Sequence, residues 1–97
     1  MATPELLTPP PAIVNDPRWE LAQRIAASRH FTKATHLHDF LLFITLRTIE
    51  GRESEIHEFN IGRSVLGRDD SFSPAEDNIV RVQARHLRKK VEDYFAN

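Results

Sequence analysis

The chain of 97 residues contains no cysteine and only three glycines. The absence of cysteine excludes disulfides and thiolate metal sites, and it allows a reducing compartment. The sequence has no Gly-rich phosphate loop, and no Ser/His/Asp or Cys/His set stands in a context that supports nucleophilic catalysis. We therefore expect neither an enzyme nor a bound cofactor.

Long apolar runs are also missing. The longest, Phe40 to Ile44, is far shorter than the roughly 20 residues that a membrane-spanning helix needs. No basic segment precedes an apolar start, as it would in a secretory signal. The sequence therefore predicts a cytoplasmic protein with no membrane partner.

Positive charge is scarce overall but concentrated near the end of the chain. The net charge of -1 is lower than is usual for a nucleic-acid-binding domain. Between Asn78 and Val91, however, there are five cations and no acid, namely Arg81, Arg85, Arg88, Lys89 and Lys90. Affinity for a polyanion depends on such a local patch more than on the total charge, so DNA binding is not excluded.

Hydrophobic periodicity predicts an all-α, compact four-helix domain over residues 16–97, after a Pro-rich flexible tail over residues 1–15. The tail can still lay four apolar side chains on the domain: Leu6, Leu7, Ile13 and Val14. Asp16 as N-cap and Pro17 at the first helical position begin the first helix. Its predicted buried stripe consists of Trp19, Ala22, Ile25 and Ala26.

The other three helices differ in their apolar pattern. The second, over about residues 34–50, is apolar on nearly all sides and is therefore predicted to be central. The third should span roughly residues 55–66, with Ser54 as N-cap, with Ile56, Phe59, Val65 and Leu66 on its core side and with Ile61 nearby. Gly62 inside it is expected to allow close approach of a neighbouring helix. A single turn around residues 73–76 then leads to the basic helix, which Asp77 caps.

The basic helix has an apolar seam with a polar side opposite it. The seam is formed by Val80, Ala84, Leu87, Val91 and Tyr94. At about 100° per residue, the opposite side carries Asn78, Val82, Arg85, His86 and Lys89. Arg81 and Arg88 share one flank, where they can reach phosphates or pair with acids of the neighbouring helix, and Gln83 and Lys90 lie on the other. A helix that enters the DNA major groove needs donors toward the bases and cations on its flanks.

Near the end of the sequence, EFNIGRSVLG and a polar turn precede the segment VRVQARHLRKKVED. This region resembles the helix-turn-helix of OmpR-type winged-helix DNA-binding domains. It is most similar to the winged-helix modules at the N-termini of bacterial signalling proteins. The resemblance covers about residues 31–95. It implies base contacts from Val82, Arg85 and His86, and phosphate contacts from Asn78, Gln83, Arg88 and Lys89. The family's C-terminal β-hairpin wing and N-terminal sheet have no counterpart in these residues.

Two functions follow as alternatives. The first is a DNA-binding transcriptional regulator, or the DNA-binding module of a larger one with a downstream sensory or effector domain. It would bind double-stranded DNA as a homodimer, because one such module contacts few base pairs. The second is a helical protein-interaction or dimerisation module, since Val82 suits a protein partner as well as a thymine methyl group. A metal site is not expected, because His36 and His38 do not share a helix face.

Overall fold

The computed structural model describes residues 4–96, and these form an all-α domain. Its four α-helices are α1 (Pro17–Ala26), α2 (Thr35–Ile49), α3 (Glu58–Ser64) and α4 (Ile79–Ala96). Short 3-10 helices occur at Pro4–Leu7, Arg29–Phe31 and Glu53–Glu55. No strand is present within the described range 4–96. The predicted all-α class is confirmed, whereas the helix-turn-helix assignment stays a prediction.

Helix α1 begins as predicted. The side chain of Asp16 accepts a hydrogen bond from the backbone N–H of Arg18 at 2.8 Å, and Pro17 is the first helical residue. The four predicted core residues, Trp19, Ala22, Ile25 and Ala26, are all buried. Ser28 adopts an extended conformation and its hydroxyl donates to the carbonyl of Ile25, so the helix ends at Ala26.

Helix α2 is the centre of the domain, as its apolar pattern predicts. It packs against α1, α4 and all three 3-10 helices. Its buried apolar residues are Leu37, Phe40, Leu41, Leu42, Phe43 and Leu46. Arg47 is also buried, and its guanidinium donates to Glu50 at 2.7 Å and lies over the Phe43 ring. Glu50 compensates the buried charge, whereas the Nε of Arg47 has no hydrogen-bond partner within residues 4–96 and lies 3.5 Å from the carboxylate of Glu55.

The N-terminal segment lies against this core. Ile13 is buried, Leu6 and Leu7 pack partly buried against the core cluster, and Val14 is exposed. Arg47 also donates a hydrogen bond to the backbone carbonyl of Leu6, at 3.4 Å. The segment is therefore joined to α2 by both apolar and polar contacts.

Helix α3 is shorter than the sequence predicts, and its N-cap is His57 rather than Ser54. The Nδ1 atom of His57 accepts from the backbone N–H of Asn60 at 3.3 Å. Residues 53–55 form a separate 3-10 helix, and Ile56 leaves the helical region with ψ of 81°, so a continuous helix from Glu55 is impossible. Phe59, predicted to be core, is 40% exposed and stacks on the ring of Phe72.

Residues 65–78 connect α3 to α4, a much longer connection than the 3–4-residue turn typical of a helix-turn-helix. Gly67 has φ of 73°, which lets the N–H of Arg68 bond back to the carbonyl of Gly62. A Cβ on buried Gly62 would lie 2.7 Å from Cδ2 of Phe72. The close neighbour of Gly62 is thus a side chain of the connection rather than a helix.

The start of α4 agrees with the sequence prediction. The N–H of Asp77 bonds to the carbonyl of Ser73 at 2.8 Å, which closes a single turn. The carboxylate of Asp77 then accepts from the N–H of Ile79 at 3.0 Å, at the first residue of the helix. The prediction that Asp77 caps the basic helix is confirmed.

Candidate nucleic-acid interface

Helix α4 packs on the domain along the predicted seam. Val80 and Leu87 are buried, and Ala84, Val91 and Tyr94 are partly buried against the core cluster. The helix has 18 residues and is therefore about 27 Å long, at a rise of about 1.5 Å per residue. The side opposite the seam faces solvent over most of that length.

The residues predicted to read DNA lie together on this exposed side. Asn78, Arg85, His86 and Lys89 are exposed, and Val82 is half-buried among them. Within residues 4–96, Arg85 and His86 make no hydrogen bond or ion pair. Their donor groups are therefore free to bind a ligand in front of α4.

The two arginines on one flank differ in their contacts. Arg81 donates to the backbone carbonyl of Pro74 at 3.0 Å, and its Nε lies 3.5 Å from the carboxylate of Glu58 on α3. Arg88 is exposed and has no such partner in the described part of the chain. Arg81 therefore holds α4 to its neighbours, while Arg88 is available to an external anion.

The opposite flank contains a cation that helical periodicity could not indicate. Gln83 lines a shallow pocket of about 340 Å³ together with Lys33, Thr35 and His36, at the start of α2. Lys33 belongs to the connection between α1 and α2, so only tertiary packing brings it beside α4. Lys90 is half-buried and donates to the backbone carbonyl of His30 at 2.7 Å, which removes it from the exposed surface.

Lys89 has an acidic neighbour one turn further along α4. Its Nζ lies 3.0 Å from the carboxylate of Asp93, and the hydrogen bond to this carboxylate raises the pKa of Lys89. Lys89 therefore carries its full charge at neutral pH. Because exposed ion pairs contribute little stability, a phosphate can replace the Asp93 carboxylate as the partner of Lys89 at small cost.

Residues 4–96 contain no candidate metal site and no candidate membrane span. No group of three or more His, Asp and Glu side chains there could hold a metal ion. No helix in the same range is long and apolar enough to cross a bilayer.

Comparison with known proteins gives no match to this chain among protein-family models, curated proteins or solved structures. The resemblance to bacterial winged-helix modules therefore stays a prediction from the residues that carry it.

Proposed function

We propose that this chain binds double-stranded DNA, as a transcriptional regulator or the DNA-binding module of one, with α4 in the major groove. The observation that carries the proposal is the division of α4 into two sides. The seam is held on the core, whereas Arg85, His86 and Arg88 face solvent with no partner within residues 4–96. Two unsatisfied donor groups on the exposed side of the helix and a third on its flank suit a ligand that is rich in acceptors.

The chemistry of these side chains suggests their roles. Arginine can donate two hydrogen bonds to O6 and N7 of guanine, and an apolar side chain can contact the methyl group of thymine. Arg85 and His86 are therefore assigned to base edges, with Val82 beside them. Backbone phosphates are assigned to Arg88, Lys89, Asn78 and Gln83. Arg81 has protein partners already and is given a minor share of the phosphate contacts.

The acidic total charge limits the strength of a single copy. Glu92 and Asp93 follow the cations on α4, so few phosphates are neutralised by one domain. Recognition modules of this kind gain affinity and specificity as dimers on half-sites about 34–36 Å apart. We therefore propose two copies on DNA.

A salt titration with random-sequence duplex tests the proposal. For DNA, the logarithm of the binding constant falls linearly with the logarithm of salt concentration, by about 0.9 for each phosphate neutralised. Two or three cations per copy would give a slope of about -2 to -3 for each copy. Fluorescence anisotropy of a labelled duplex measures this slope, and absence of binding at the lowest salt concentration would refute DNA binding.

A further inference from the structure

An apolar groove separates α2 from α4 on the side of the domain next to the arginine flank. Its volume is about 410 Å³. Its walls are formed by Phe40, Leu41 and Ile44 of α2 and by Ala84, Leu87 and Val91 of α4, with Arg88 and Glu92 at the rim. This face is distinct from the side of α4 that carries Arg85 and His86.

Beyond the groove, α4 exposes one large apolar side chain, whose ring meets that of Tyr94. Phe95, near the end of α4, is 63% exposed. Spacings of four, three and four residues place Ala84, Arg88, Val91 and Phe95 on one stripe of the helix. The walls of the groove are buried or partly buried, and Phe95 is the exposed apolar side chain of this stripe.

We propose that a second copy of this chain covers the groove, with the two α4 helices antiparallel about a two-fold axis. The charges on the rim are self-complementary. Arg88 and Glu92 stand one turn apart, so an axis that passes between them places Arg88 of each copy opposite Glu92 of the other. A two-fold contact has this property, because residue i meets j and j meets i.

The sizes of the side chains agree with the same pairing. Ala84 and Phe95 lie at nearly equal distances along α4 on either side of the midpoint between Arg88 and Glu92. The exposed ring of Phe95 in one copy is then opposite the small side chain of Ala84 in the other. Large side chains that face small ones allow the close packing found at the centre of interfaces.

This dimer goes beyond the proposed DNA binding and does not depend on it. Packed helices have axes about 8–10 Å apart, whereas DNA half-sites one turn apart are about 34–36 Å from each other. The contact is therefore an assembly of the protein without DNA. It also occupies Arg88, which the DNA proposal assigns to a phosphate.

Sedimentation of the protein without DNA tests whether the dimer forms. Exchange of the charges at Arg88 and Glu92 tests how the two copies are paired. The parent chain should show a concentration-dependent dimer. Arg88→Glu and Glu92→Arg should each raise the dimer dissociation constant at least about tenfold, since each places like charges opposite each other. The variant with both substitutions should return close to the parent value. Phe95→Ser, at a largely exposed side chain, should also weaken the dimer.

Exchanges on α1 provide the matched control. Glu20 and Arg24 are exposed and have the same spacing as the pair on the rim. Glu20→Arg and Arg24→Glu should leave the dimer unchanged, and circular dichroism should show every variant folded. A parent that stays monomeric up to about 1 mM, equivalent to a contact weaker than about 4 kcal/mol, would overturn the proposal. A dimer that ignores both single exchanges, or that the double exchange fails to restore, would overturn the antiparallel pairing.

Discussion

The Nζ atom of Lys90 donates a hydrogen bond to the backbone carbonyl of His30, and so joins α4 to the short helix Arg29–Phe31. The edge of the His30 ring also meets the ring of Tyr94, one turn further along α4. These two contacts hold the C-terminal half of α4 on the connection between α1 and α2. One of the five clustered cations therefore serves the fold rather than a ligand.

Lys90→Met should lower the free energy of unfolding by about 1–2 kcal/mol, because it keeps the apolar stem and leaves the His30 carbonyl without its charged donor. Urea denaturation measures the loss. Lys33→Met is the control, since Lys33 is exposed and makes no hydrogen bond within residues 4–96. Equal stability of the two variants would contradict a structural role for Lys90.

Replacement of the exposed donors on α4 should separate base reading from phosphate binding. Arg85→Ala together with His86→Ala should abolish discrimination between duplex sequences, because direct base contacts are lost. Lys89→Ala should weaken binding to all sequences alike and reduce the salt slope by about 1.

Anisotropy titrations with several duplexes measure both effects. Arg24→Ala on α1 is the control, because that arginine is exposed and lies on another helix. Parent-like binding by all the α4 variants would show that this side of α4 does not contact DNA.

Gly62→Ala should destabilise the domain by about 1–3 kcal/mol, although alanine is the better helix former. The added Cβ would lie 2.7 Å from Cδ2 of Phe72, so the ring must move. Thermal denaturation measures the change. In the background of Phe72→Leu, which removes the ring, the same substitution should cost much less. Additive effects of the two substitutions would mean that no steric conflict exists between them.

A fall in pH should reduce the stability that the N-cap Asp16 contributes at the start of α1. The hydrogen bonds that Asp16 accepts from the side chain and the backbone N–H of Arg18 hold the pKa of Asp16 below its ordinary value of 3.8. Because the folded-state pKa is the lower one, this stabilisation is present above pH 3.8 and is lost as the pH falls through the folded-state value.

Asp16→Asn should therefore reduce the decline of the urea midpoint between about pH 5 and pH 3, since the amide accepts hydrogen bonds but does not titrate. Arg18→Gln should reduce it as well, because the side-chain donor is the largest cause of the lowered pKa. A decline as steep as that of the parent in both variants would contradict this account.

Sequence patterns predicted the features that depend on neighbouring residues. The caps Asp16 and Asp77, the buried stripe of α1 and the seam of α4 follow from local hydrogen bonding and helical periodicity. The predicted start of α3 was wrong, because Ile56 is not in the helical conformation and His57, not Ser54, is the N-cap. Periodicity cannot anticipate such a break.

Features that join distant parts of the chain were not predicted. Three contacts link residues that are far apart in sequence. They are Lys33 beside Gln83, Lys90 on the His30 carbonyl and Arg47 on the Leu6 carbonyl. The exposed side of α4 was predicted from the sequence, but the contacts that distinguish Arg81 from Arg88 required the tertiary structure.

The packing of Phe72 on Gly62 also bears on chain entropy. The entropic cost of closing a loop grows with the logarithm of its length, and residues 65–78 would otherwise form one long closure between α3 and α4. The ring of Phe72 attaches the middle of this segment to α3 and divides it into two shorter closures. As a result, residues 73–78 alone separate this attachment from α4, so the loop that must close between the two helices is short.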